Sequence, residues 1–431
     1  MRIGMRLTLA SCGALLATCV MAAAAAADTF VVTQTGDPAP GACNAQCSLR
    51  EAVDAANVSI GDDRVKLRAQ TYRLTRSGIA ENANATGDLD VQGSLEIFGK
   101  GARRTTIDGE WAAGGDLLIQ TPGLVDLTVR DLELRDGDNI SNPQVGAIDF
   151  NGPGEFRLTN ARVISNRSAY TAVETNGDSV ISRVIFRGNH ATGCCAALYN
   201  HGVGEMILRD VWFDRNTAVD DTGAMYSDGV SALFERVTFS RNRAGTVGGA
   251  LITSNGVNDL RNVTFSGNRT DEEGGGLYLE SDATLNNVTL FRNVADADDN
   301  QPAGQGGGIY GSGGTATMSN TILAGNTEGG NGQSQCGGAP NPESLGHNLF
   351  GLDLGCVFLT GPGDIALSGG QTAGLVRRLR ANGGFTPTHA VKRASRARNN
   401  GGNMTCEARD QRKVLRPQGP RCEIGAYELK Q

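Results

Sequence analysis

Histidine is scarce, with 4 in 431 residues, and aromatic residues make up only 5% of the chain, with two tryptophans. So few scattered histidines leave no convincing His-centred triad. Nor do they supply a zinc site, because the cysteines lack repeated CxxC spacing. Proline is also sparse at 12, whereas glycine reaches 60. That much glycine excludes long helices and coiled coils, since each interior glycine costs a helix about 1 kcal/mol. Beyond the N-terminal segment, no hydrophobic run is long enough to span a bilayer. Excess positive charge is missing too: the formal net charge is −7 and the pI about 5.3, which argues against a general nucleic-acid binder. Disorder is excluded by 39% hydrophobic residues and only 20% charged ones.

What is present begins with a leader. Arg2 and Arg6 precede an apolar run from Leu7 to Met21, and Ala22 to Ala27 supply small residues for cleavage. This layout predicts a signal peptide over 1–27 and an exported chain, extracellular, at the cell surface or in the periplasm of a bacterium. Thr18 before Cys19 makes a poor lipid-acylation site. Eight cysteines remain in the mature chain, an even set that in an exported protein suggests disulfides. Cys43 and Cys47, Cys336 and Cys356, and Cys406 and Cys422 fall as near neighbours, so local bridges are the simplest pairing. Sequence does not decide connectivity, and adjacent Cys194 and Cys195 fit either a vicinal disulfide or two buried thiols.

The middle of the chain repeats. Asn166, Asn189, Asn216, Asn242, Asn268, Asn293 and Asn326 close similar units, spaced 23 to 33 residues apart. A second anchor follows each, as in Leu198-Tyr199, Met225-Tyr226, Leu251-Ile252, Leu277-Tyr278 and Ile309-Tyr310, usually after small residues such as Gly248-Gly249. A fixed period in this range means a solenoid. Within Arg236-Val-Thr-Phe-Ser240 and Asn262-Val-Thr-Phe-Ser266 the apolar residues alternate, which is strand periodicity. Together these predict an all-β fold, a right-handed parallel β-helix. Val184/Phe186, Val211/Phe213, Val237/Phe239, Val263/Phe265 and Val288/Leu290 should form inward apolar columns. The recurring Asn should stack its amide from coil to coil.

Stacked coils need capped ends. Ser48-Leu-Arg-Glu51 reads as a capping box opening a helix over 48–57. The predicted organisation is a cap at 28–61, coils at 62–335, and an irregular, disulfide-tied, basic C-terminal module at 336–431.

Cys47-Ser-Leu-Arg-Glu-Ala52, with Gly87-Asp-Leu-Asp90 and Thr106-Ile-Asp-Gly109, resembles the CSLREA-domain proteins of bacterial surfaces. The end, Asn382-Gly-Gly-Phe-Thr-Pro-Thr-His389 through Asp410-Gln-Arg412 and Arg416-Pro417 to Cys422-Glu-Ile-Gly-Ala-Tyr-Glu428, resembles the choice-of-anchor Q module. The Gly-Gly-Ala-Leu and Phe-Ser-Gly-Asn units resemble polymorphic outer-membrane proteins and the pectin-lyase-like fold. These resemblances imply an exported β-helix, mostly without assigned activity. One departure stands out: the family's Ser-Pro-Ala-Ile-Asp stretch appears here as Ser395-Arg-Ala-Arg-Asn399.

Pectin-lyase-like enzymes work on the outside of one sheet with clustered acids, often calcium, and an Arg or Lys base. That resemblance directs attention to outward Arg183, Arg187, Asp210, Trp212, Asp214 and Arg236, with Asp210, Asp214, Arg187 and Arg236 as the catalytic candidates of a polysaccharide lyase or hydrolase. Cross-strand ion pairing is the plainer reading of the same residues. Tyr199, Tyr226, Tyr278 and Tyr310 share one repeat position and, with Trp212, make a candidate sugar-binding strip. Acidic turns carry Asp271, Glu273, Asp296, Asp298 and Asn300, a candidate calcium site beside the default of solvated turns. Residues 376–421 hold 12 basic residues against 2 acidic ones, whereas 28–375 hold 24 against 42. Arg377, Arg378, Arg380, Lys392, Arg393, Arg396 and Arg398 are therefore candidates for docking on an acidic surface or on the acidic body itself. The expected role is surface display or binding of a polysaccharide or outer-envelope glycan. A lyase or a purely structural protein is the alternative.

Overall fold

The structure, a computed structural model, describes residues 27–430 apart from 79–80, 111–116, 122, 141–144, 203, 230, 301–303, 330–331 and 353–359. The leader (save Ala27) and Cys356 lie outside the described residues.

One coil shows how the sequence makes the fold. Met206–Arg209 lies in a first sheet, Trp212–Asp214 in a second, Thr217–Ala218 in a third and Met225–Asp228 in a fourth, before Ala232–Glu235 rejoins the first. Repetition stacks these into sheets of 12, 12, 9 and 10 strands among the described residues, parallel save where Thr327–Glu328 meets Gly332–Gln333 at the end of the third, and the whole is a parallel β-solenoid. Phe186, Phe213, Phe239 and Phe265 pair in register. Their buried rings stack at 4.8, 4.8 and 4.9 Å with planes within 8° of parallel, matching the sheet's own strand spacing. Each such contact adds about 1 kcal/mol beyond area burial.

Both corners of the second sheet use left-handed backbone. The first is turned by Asn160, Arg183, Asp210, Arg236, Asn262, Asn287 and Asn320, all with φ between 49° and 59°. Asn and Asp tolerate that region best, which explains most of the column. The second corner carries the repeated Asn. Each amide donates to the next, Asn216 Nδ2 to Asn242 Oδ1 at 3.0 Å and Asn242 Nδ2 to Asn268 Oδ1 at 2.9 Å, and the row ends on Gln335. These side chains are buried, and each also donates to a core-strand carbonyl, as Asn242 Nδ2 does to Phe213 O at 3.2 Å. The glycine pairs precede the fourth sheet because coils touch there: a Cβ on Gly249 would sit 2.3 Å from Gly275 O.

At the N-terminal end the helix Leu49–Val58 has Ser48 as N-cap, with both bonds of the capping box present. Leu49, Ala52, Val53 and Ala56 bury against the first coils. Arg50 is fully buried, paired to Asp37 at 2.9 Å and donating to the carbonyls of Gly87 and Asp88 at 2.8 and 2.6 Å. The motifs at 47–52 and 87–90 therefore meet in space. Disulfides join Cys43–Cys47, Cys194–Cys195 and Cys406–Cys422.

The C-terminal segment turns back along the outside of the second sheet. Gln411 is its deepest anchor, with Nε2 donating to Val237 O at 3.0 Å and Oε1 accepting from Thr264 Oγ1 at 2.7 Å. Thr238 donates to Pro387 O, and Asn287 Oδ1 accepts from Glu407 N. No described helix is long and apolar enough to cross a membrane.

Candidate functional site

The outward patch of the second sheet is not an open groove. Asp214 is fully buried: Arg187 Nε reaches Oδ2 at 3.0 Å, while Arg241 Nη2 and Ser240 Oγ reach Oδ1 at 2.6 and 2.8 Å. Trp212 donates from Nε1 to Ser240 Oγ, and the Arg187 guanidinium lies 4.5 Å above its ring. Asp210 is held by Arg236 at 2.8 Å and by Lys413 of the C-terminal segment at 2.9 Å. Burial pushes the Asp210 carboxyl up, but those two cations outweigh it and hold it below the usual range. Phe385 packs 5.1 Å from the Arg183 guanidinium. Asp210, Asp214, Arg187 and Arg236 are thus brought together as ion pairs in which both carboxylates are engaged. Arg241, Phe385 and Lys413 complete the network, and sequence reasoning missed them because Phe385 and Lys413 arrive from a segment remote in the chain.

The C-terminal segment seals the sheet with His389. Its Nδ1 faces Val376 O at 2.8 Å, which only accepts, so Nδ1 carries the proton and Nε2 accepts from Ser266 Oγ at 2.8 Å. Burial pushes this imidazole down to about 4, with Arg292 adding to the effect. Its folded value lies below its unfolded value of 6.5, so stability is whole above that pH and is lost as pH falls towards 4. The expected loss is about 3 kcal/mol. Urea melts at pH 7 and pH 4 should show it in the native protein and not in His389→Gln. Equal slopes in both would count against it.

On the fourth sheet, Tyr199 pairs with Tyr226 and Tyr278 with Tyr310, but Ile252 stands between the two pairs and is buried. The four therefore form two clusters, and Trp212 belongs to the second sheet. Tyr278 and Tyr310 stack at 5.3 Å, and Tyr199 and Tyr226 lie 5.6 Å apart. All four rings are half-buried, and their hydroxyls stay neutral because burial, then nearby acids in three of them, push them up, Tyr226 to about 12. The structure adds neighbours that the repeat pattern did not suggest. Tyr170 meets Tyr199 edge-on at 5.2 Å, and His201 stacks on it at 4.9 Å. Glu174 Oε1 lies 2.7 Å from His201 Nε2, and this bond raises the imidazole above its ordinary value. Asp149, in register with Glu174, is pushed up to about 6 by burial and then by that neighbour.

The acidic turns approach one another around Asp296, whose carboxyl is raised by burial and then by Asp299, Asp298 and Asp271. Asp271 is taken by Arg243 at 2.8 Å, and Asp298 by the Asn300 amide at 2.7 Å. Glu273 is raised by burial and then by Glu272, and Asp296 is buried at a left-handed position. Among the described residues no three acidic, His or Cys groups are placed to hold a metal. In the C-terminal segment the six arginines and one lysine singled out by sequence make no ion pair with the body among the described residues. Docking there rests on Gln411, His389, the Lys413–Asp210 ion pair, side chains such as Glu407 and Arg416, and backbone groups.

Residues 262–280, one coil from Asn262 past Tyr278, match the Chlamydia polymorphic membrane protein repeat. The chain is similar in fold to pectate lyase Pel9A, at 13% identity and a TM-score of 0.47, over 94% of this chain and 97% of that one. It is also similar to the PL6 family alginate lyase AlyGC, at 12% identity and a TM-score of 0.32, over 84% of this chain and 55% of that one. No curated protein matches.

Proposed function

We propose that this is an exported protein of the bacterial cell surface that binds glycans through the fourth sheet. The observation that carries the reading is the half-exposed tyrosine strip, with Tyr278 and Tyr310 stacked at 5.3 Å and Tyr226 Oη donating to Glu280 at 3.2 Å. Such rings offer a sugar an apolar face with fixed hydroxyls beside it, at little entropic cost. The leader, the paired cysteines, the likeness to CSLREA and choice-of-anchor Q proteins, and the match to a polymorphic membrane protein repeat support export and surface location. The second reading is a polysaccharide lyase or hydrolase. Glu174, His201 and Tyr199 favour it, since they put a carboxylate-raised imidazole beside a phenol.

A glycan array followed by titration of the hits tests both. Tyr226→Ala combined with Tyr278→Ala is expected to weaken binding at least ten-fold while the far-ultraviolet circular dichroism of the β-solenoid is kept. Product release from the bound glycan, lost in His201→Ala, would replace the binding reading with the enzymatic one.

A further inference from the structure

Many arginines on this solenoid have a carboxylate partner: Arg162 with Glu133 at 2.8 Å, Arg209 with Glu235 at 3.0 Å and Arg243 with Asp271 at 2.8 Å. Where the second corner faces the returning segment, cation faces cation. Arg269 and Arg292 on the coils confront Arg377, Arg378 and Arg380 on the segment across a cleft of about 500 Å³. Arg241 at its edge is already committed to Asp214, and none of the other five has an acidic partner among the described residues. Burial, then Arg377 and Arg269, pull the Arg292 guanidinium below its usual value. A second cavity of about 530 Å³ shares Arg292 and Arg377 and adds Lys392, so basic side chains continue into the adjoining space.

We infer that this trough binds a carboxylated or sulfated oligosaccharide. Guanidinium forks match planar carboxylates and sulfates bidentately, and Trp212 and Phe385 supply an apolar wall for sugar rings. The occupant is a single narrow chain. A flat lipid surface does not enter a cleft, and the acidic body, with 42 acidic against 24 basic residues over 28–375, repels a long polyanion beyond it. The trough lies on another face from the tyrosine strip and stands or falls independently of it.

The test is calorimetric titration of the whole protein at 50 mM and 200 mM NaCl. The probes are a galacturonic-acid heptamer, a heparin-derived hexasaccharide and a single-stranded oligothymidylate. At least one saccharide should bind, more weakly at the higher salt. Arg377→Glu with Arg378→Glu should weaken it at least ten-fold, and the milder Arg377→Gln with Arg378→Gln several-fold. Arg393→Glu with Arg396→Glu, the same charge change outside the trough, should change it less than two-fold, and so should the tyrosine pair. The difference between the two saccharides reports carboxylate against sulfate preference. Three results would overturn the inference: no saccharide binding at 50 mM NaCl, equal losses from inside and outside the trough, or oligothymidylate bound as tightly as either saccharide.

Discussion

Replacing Asn242 by leucine is expected to lower the free energy of unfolding by about 5 kcal/mol, the sum of two or three buried polar groups left without partners. Asn242 Oδ1 accepts from both the backbone and the side-chain nitrogen of Asn216, at 3.0 Å each. Its Nδ2 serves Phe213 O and Asn268 Oδ1. Leucine fills the space and removes all four bonds in an interior that water does not reach, although Asn216 Nδ2 keeps Phe186 O and Asn268 Oδ1 keeps the backbone nitrogen of residue 242. Asn242→Asp keeps the acceptor but turns an oxygen towards Phe213 O and Asn268 Oδ1, so its loss should be at least as large. Exposed Asn300→Ala should stay within about 0.5 kcal/mol of the parent. Urea denaturation gives the totals, and amide exchange shows where the loss falls. Because each coil is stabilised by its neighbours, protection should drop around Asn216 and Asn268 as well as at the substituted coil. Loss confined to a single coil would show that the amides act separately.

The ladder and the phenylalanine column were legible as periodicities, since a coil that must stack on its own copy repeats the residues that touch. The cap was legible for a different reason: Ser48 and Glu51 act within one turn of helix. The returning segment was not, because Gln411 and Val237 are far apart in sequence and no period links them. Its footprint is nonetheless written on the coils. Outward positions of the second sheet carry Arg162, Arg187 and Asp214 before the covered stretch, then Thr238, Ser240, Thr264, Ser266 and Thr289 beneath or beside the segment. Short hydroxyls can be buried with one hydrogen bond each, whereas long charged side chains cannot. The tyrosine strip was legible as a register position, but Tyr170, His201 and Glu174 entered it from other offsets in the repeat. The basic trough needed both partners. The arginines at 377–380 read as a solvated charge run until Arg269 and Arg292 were seen opposite them.

Asp410→Ala is expected to cost about 4 kcal/mol, the range for removing one partner of a buried ion pair. Asp410 is fully buried: Oδ1 accepts from the backbone of Arg412 and Val414 at 2.8 and 2.9 Å, and Oδ2 from Arg412 Nη2 at 2.6 Å and Glu428 N at 2.9 Å. Arg412 in turn sits 3.6 Å over the Tyr427 ring. Alanine leaves that guanidinium without its carboxylate, opens the turn that presents Gln411, and so releases the latch on Val237 and Thr264. The coils should survive the change, because neither the asparagine ladder nor the phenylalanine column passes through this segment. Limited trypsin digestion should then cut between Arg377 and Arg421 while leaving a resistant solenoid. Amide exchange should rise at Thr238, Thr264 and Ser266 without change at Asn242 or Phe213. Asp410→Asn keeps one acceptor oxygen but turns an NH2 towards N–H donors on the other side and loses the charge, so its loss should lie close to that of alanine. If instead coils and segment lost protection together, the returning chain would be part of the solenoid's own cooperative unit, and the arginine trough along its seam would be a fixed feature of one rigid body.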